Sequence, residues 1–132
     1  MSWKTLTFVA VSFSVMAVSG FAEQTQQGAL KRTTLQSFDF PPGYETVSVI
    51  AEIAPGNCSG RHTHPGIETA YVLEGELIVK FDGKPDAVFK TGEPVMFPLE
   101  VVHDDCNLSG VPFRALATYV VEKGKPLASP VP

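Results

Sequence analysis

The chain is poor in several things, and each shortage excludes something. Positive charge is scarce: 10 Lys and Arg stand against 14 Asp and Glu, for a formal net charge of −4. That disfavours a nucleic-acid partner or an anionic membrane surface, both of which need a basic footprint. Beyond the N-terminal stretch there is no apolar run long enough to cross a bilayer as a helix, which takes about 20 residues. No segment of about 10 residues keeps a helical 3.6 period, which argues against a helical fold. Repeats and low-complexity tracts are absent. Cysteine is limited to Cys58 and Cys106, and histidine to His62, His64 and His103. Turn formers, by contrast, are plentiful, with 11 glycines and 11 prolines, as a turn-rich β fold requires.

The N-terminus reads as a targeting segment. Met1 to Lys4 carries one positive side chain, and Leu6 to Phe21 is apolar or small without charge. Gly20 and Ala22 place small residues at the −3 and −1 positions of a signal-peptidase site, and polar Glu23-Gln24-Thr25-Gln26-Gln27 follows. Residues 1–22 are therefore expected to be a secretory signal peptide rather than an uncleaved anchor. For an anchor the apolar run is short and lacks a basic stop-transfer cluster. The mature chain, residues 23–132, is then secreted or periplasmic and free of the membrane. Two cysteines in that compartment can persist as a disulfide.

Along the mature chain, residues 23–32 are polar and Gln-rich and read as a flexible leader. Residues 33–122 alternate β-branched with small or polar residues in short runs: Thr46 to Ile53, Thr69 to Leu73, Glu76 to Phe81, Val88 to Lys90, Val95 to Phe97, Val101 to Leu108 and Phe113 to Val121. Pro41-Pro42-Gly43, Pro55-Gly56, Glu74-Gly75, Asp82-Gly83, Thr91-Gly92 and Ser109-Gly110 punctuate them. Short strands with turns every 8 to 12 residues predict an all-β sandwich or barrel. The tail, residues 123–132, carries three prolines and reads as an extended surface strap rather than a barrel strand.

The chemistry concentrates in two clusters. His62 and His64 are two apart, so on a strand both imidazoles face the same side and can share one ion. Glu68 has the same parity and, after the bend expected at Pro65-Gly66, can return a carboxylate to that interior. His103 must come from a strand distant in sequence that closes against the first. Three imidazoles and one carboxylate leave two open positions on an octahedral ion. That set suits Fe, Mn, Ni, Co, Cu or Zn as a divalent cofactor rather than Ca.

With those residues in view, the chain resembles the cupin superfamily. The first cupin motif, G-x5-H-x-H-x3,4-E-x6-G, is matched at every specified position from Gly56 through His62, His64 and Glu68 to Gly75. The second, G-x5-P-x-G-x2-H-x3-N, is matched at Gly92, Pro98, His103 and Asn107, with Glu100 where the family usually has glycine. The resemblance implies a double-stranded β-helix, or jelly-roll, barrel, often dimeric, with a metal near the barrel mouth. The short spacer, Glu76 to Thr91, is similar to that of small bacterial single-domain cupins of the quercetin-dioxygenase-like kind. Gly75 and Gly92 fall where turns need positive φ or a close backbone approach.

Other residues carry open alternatives. Asp105 shares parity with His103, so it either faces the interior, orienting a histidine or meeting substrate, or is a solvent-facing acid beside Asp104. Asn107 reads as a strand-end hydrogen-bonder, Arg61 as a surface residue and Tyr71 as outer packing. Phe81, Phe97, Phe113 and Tyr119 read as core. Cys58 and Cys106 are either bonded, closing a long loop between the two motifs, or two free thiols.

Three functions fit this pattern. The first is a metal-dependent oxygenase acting on an unknown small molecule, with Glu68 as its catalytic base. The second is a metal-dependent isomerase or lyase, and the third a non-enzymatic ligand- or metal-binding envelope protein. A homodimer is expected, since the barrel's edge strands need covering.

Overall fold

The computed structural model describes residues 23–132; the segment read as a signal peptide lies outside them. Strands in chain order are β1 (Gln24–Gln27), β2 (Leu30–Phe38), β3 (Tyr44–Ile53), β4 (Asn57–Cys58), β5 (His62–Thr63) and β6 (Ile67–Glu74). They continue with β7 (Glu76–Phe81), β8 (Ala87–Lys90), β9 (Pro94–Phe97), β10 (His103–Asn107), β11 (Phe113–Glu122) and β12 (Ser129–Pro130). One sheet runs β1-β2-β3-β11-β6-β9, and the other runs β12-β5-β10-β7-β8 with β4 also paired to β10. All pairings are antiparallel. None of the described residues is helical.

Side-chain alternation decides what fills the space between the sheets. On β3, Val47, Val49, Ala51 and Ile53 turn inward, and on β11 Phe113, Ala115, Ala117, Tyr119 and Val121 do the same. They meet Val72 from β6, Leu77 and Val79 from β7, and Val95 and Phe97 from β9. This is the period of two that strands impose, and it yields an apolar interior between two antiparallel sheets.

The N-terminal residues correct the expectation of a flexible leader over residues 23–32. Gln24–Gln27 and Leu30–Phe38 form an antiparallel hairpin that extends the sheet beyond β3. Leu30 and Arg32 alternate inward with exposed Lys31 between them. The polar composition concealed a strand whose single buried aliphatic and buried cation are both covered by the barrel. The tail is tied down as well: Ser129 and Pro130 pair with Thr63 and His62.

Two backbone details bear on the site. The Cys58–Cys106 disulfide joins β4 to β10, with its Cα atoms 4.1 Å apart. In the chain-entropy account, closing a loop of this length stabilises the fold by roughly 4 kcal/mol. Glu100 adopts φ +58°, the left-handed backbone its position requires, and its N–H donates to the His64 carbonyl over 3.0 Å. The turn before His103 thus keeps a glycine-type geometry without the glycine. Gly75 at φ +78° and Gly92 at φ +91° are left-handed, as expected of the flanking turns.

Candidate metal centre

Both motifs deliver their side chains to one place. His62 lies directly opposite His103 in the β5–β10 pairing, and His103 in turn sits opposite Phe81. His64 follows on the same side. Pro65-Gly66 then turns the chain into β6, where a Cβ on Gly66 would lie 2.0 Å from the Val120 carbonyl oxygen. No other residue lets β6 start so close to β11, and that closeness aims Glu68 inward. His62, His64 and His103 are fully buried and Glu68 is nearly so. The three imidazoles present ligand nitrogens that all lie within 4.8 Å of one another.

The hydrogen bonds fix which nitrogens these are. His62 Nδ1 lies 2.8 Å from the Gly60 carbonyl, His64 Nδ1 2.8 Å from Leu127 and His103 Nδ1 2.9 Å from Val101. A carbonyl only accepts, so each Nδ1 donates, and in a neutral ring Nε2 is left as a lone pair. His64 Nε2 stands 3.2 Å from His103 Nε2 and 2.7 Å from Glu68 Oε2. Asp105 Oδ2 lies 3.8 Å from His62 Nε2 and 3.9 Å from His103 Nε2. Lone pairs from two sheets therefore converge in a space closed to solvent. His62 Nε2 and Asp105 Oδ1 find no hydrogen-bond partner among the described residues. One proton between His64 and Glu68 relieves only part of this repulsion. A cation relieves all of it, and imidazole with carboxylate is a donor set for divalent transition metals. The residues fit a metal ion.

Titration preferences follow burial. Desolvation pushes His62 down to about 3 despite the Gly60 hydrogen bond, with neighbouring His103 and His64 adding to the fall. His103 is lowered for the same leading reason. Burial would raise Glu68, yet the His64 hydrogen bond and the charges of His64 and Arg32 hold it below its ordinary value. Asp105 is raised well above the carboxylate range, by burial first and the Glu68 charge second.

Beyond these four side chains the network extends to residues that sequence reading placed elsewhere. Tyr119 is buried, as a core residue should be, but its hydroxyl donates to Glu68 Oε1 over 2.7 Å. Arg32 Nε donates to the same hydroxyl over 3.0 Å. Arg32 lay in the segment read as a leader; its alternation with Leu30 was the available signal. Asp105 resolves to the interior alternative, 5% exposed. Asn107 caps the strand end, its amide donating to the Ile53 and Val111 carbonyls. Arg61 pairs with Asp82 at the surface, and Tyr71 lies on the outer face, half exposed.

This donor set on an antiparallel double-sheet barrel defines the chain's class. The cupin domain family profile matches residues 49–119, more than half of the chain, and the chain belongs to that family. Over 86 residues it is 41% identical to germin-like protein subfamily 2 member 2 of Arabidopsis thaliana, covering 59% of this chain and 39% of that protein. The chain thus spans about two fifths of that relative's length. A Klebsiella pneumoniae protein with a double-stranded β-helix domain superposes with TM-score 0.64 at 20% identity, covering 89% of this chain and 99% of its own. Lactobacillus farciminis oxalate decarboxylase superposes equally well, with TM-score 0.64 and 20% identity over 83% of this chain and 33% of its own. These two superpositions establish the shared double-stranded β-helix fold.

Proposed function

We propose that the protein is an exported metal-dependent enzyme of the oxygenase type, acting on a small molecule, with His62, His64, Glu68 and His103 as its ligands. The observation that carries this reading is the convergence of three Nε2 lone pairs whose Nδ1 atoms are each committed to a backbone carbonyl. Bound there, a divalent Fe, Mn, Ni, Co, Cu or Zn ion would supply Lewis acidity and, for the redox-active metals, chemistry towards dioxygen. The chain supplies the proton handling. Glu68 Oε1 is held by Tyr119, so Oε2, which faces His64, would serve as the ligand atom and, when released from the ion, as the base that takes a proton from substrate. Asp105, raised by burial, is a second carboxyl that can hold a proton beside His62 and His103. The apolar walls, Phe97 stacked on His103 and Phe81 tilted towards it, exclude water from that exchange.

Asp105 also favours a second reading. Two carboxyls on one site are what a metal-dependent isomerase or lyase uses to remove and return a proton. Dioxygen uptake separates the readings: turnover that consumes oxygen supports the first, and proton exchange without it the second. Tight ligand binding without turnover would instead make this a binding protein.

Elemental mass spectrometry on the exported chain, purified without a His-tag, is the primary test. About one equivalent of metal, lost in His62→Ala, is expected. Absence of metal even after reconstitution would overturn the reading.

Export is supported by the Cys58–Cys106 bond, since disulfides persist in oxidising compartments. The same proposal takes the chain as a homodimer. Ile67, Tyr71, Leu73, Met96 and Leu116 are exposed on the outer face of one sheet, with Tyr71 directly beside Leu116. Light scattering on the purified chain checks the dimer.

A further inference from the structure

Arg32 is 3% exposed, yet no carboxylate among the described residues lies within ion-pair distance of it. Its Nε donates to the Tyr119 hydroxyl at 3.0 Å and its Nη1 to Gln27 Oε1 at 3.3 Å, both neutral oxygens. Its Nη2 has no partner among the described residues, and neither does Gln27 Nε2. An arginine this deeply buried is costly unless an anion meets it, and an unsatisfied donor shut off from water adds to that cost. Glu68 offers partial compensation through Tyr119, but a metal ion on Glu68 would draw that charge away. Both unpartnered donors belong to side chains lining one cleft of about 420 Å³, between the N-terminal hairpin and the C-terminal tail. The far wall includes Leu127, whose carbonyl holds His64. The cleft therefore adjoins the metal centre on two sides, through Arg32-Tyr119-Glu68 and through Leu127-His64.

We propose that this cleft is a carboxylate-binding subsite, with Arg32 and Gln27 donating to the anionic end of a small substrate. A guanidinium edge matches the plane of a carboxylate, and the Gln27 amide adds a second donor. The half-buried Gln27 side chain is the part that turns to admit the anion. Both residues precede residue 49, outside the segment matched by the cupin profile, so the subsite belongs to this chain's own N-terminal hairpin. The inference names a substrate class for the site above, and rests on that reading only for the chemistry, not for the anion's seat.

The test is calorimetric titration of the exported chain with malonate, using malonamide as the uncharged control, in both metal-loaded and metal-free protein. Saturable malonate binding is expected, with malonamide inert. Arg32→Gln should weaken it by about tenfold or more, the loss of one charge-assisted hydrogen bond. Gln27→Leu should weaken it by about threefold, a neutral hydrogen bond's worth. Malonate affinity unchanged in both variants, malonamide binding as tightly as malonate, or no malonate binding at millimolar concentration would each overturn the subsite. If Arg32→Gln does not fold, Gln27→Leu decides alone. Arg32-dependent binding in a chain that takes up no metal even on reconstitution would uphold the subsite and sink the metal enzyme. Metal retained without Arg32-dependent binding would do the reverse.

Discussion

The barrel interior has two regions filled by different chemistry. In one, Leu30, Ile53, Leu77, Val79, Val95 and Phe113 pack as an apolar cluster in which no side chain needs a particular partner. In the other, His62, His64, Glu68, His103, Asp105, Arg32 and Tyr119 are as deeply buried, but each must be met by a donor, an acceptor or a charge. The apolar region is held by area and shape and is complete in the folded chain. The polar region is assembled from β2, β5, β6, β10, β11 and the tail, and it still contains unmet atoms. Burial alone does not stabilise it; a cation would complete it.

That difference can be broken at either side. Ile53→Ala should lower stability by roughly 2–5 kcal/mol through the cavity it leaves, equally with and without metal, and should leave metal content unchanged. His103→Ala should abolish metal binding and with it the metal-dependent part of stability, about 4 kcal/mol when metal stands a thousandfold above its dissociation constant. Thermal melts with and without chelator, beside elemental analysis, check both. If His103→Ala keeps its metal, the division between the two regions is wrong.

Acid should act on the polar region alone. His62 titrates at 6.5 when unfolded and is held down to about 3 when folded and metal-free. Between those values the unfolded chain takes up a proton that the folded chain refuses, so stability is full above 6.5 and falls as the pH drops towards 3. His103 acts in the same direction. Asp105, raised in the fold, acts oppositely: its contribution is present below its ordinary 3.8 and lost as pH rises. Melts of the chelated protein at stepped pH should show a net decline below 6.5 that His62→Asn flattens. The smallest effect concerns Glu100, whose φ of +58° costs a side-chain-bearing residue about 1 kcal/mol. Glu100→Gly should recover up to that amount without altering metal content, as a denaturant midpoint would show.

The central strands were legible in the sequence because alternation and turn residues both mark them: Thr46 to Ile53 and Phe113 to Val121 lie within β3 and β11. The grouping of His62, His64 and Glu68 was legible from parity and spacing, and that of His103 from the resemblance to the second cupin motif. The flanks were not. Gln24–Gln27 and Leu30–Phe38 carry too few buried aliphatics to show a hydrophobic period, so Arg32 was hidden in what looked like a polar leader. Tyr119 read as core because burial and a polar role are compatible in tyrosine. The Leu127 carbonyl that orients His64 is a backbone group, which composition cannot announce.

The Cys58–Cys106 bond also changes the chain's covalent topology. It closes a ring that contains His62, His64, Glu68 and His103, while Arg32, Gln27, Tyr119 and Leu127 lie on the two linear arms outside it. A single protease cut within the ring leaves all four of those side chains on one covalent molecule, whereas a cut in either arm can release a piece of the cleft lined by Arg32 and Gln27. Limited proteolysis without reductant would therefore strip the two arms before it could scatter the four ring-borne side chains.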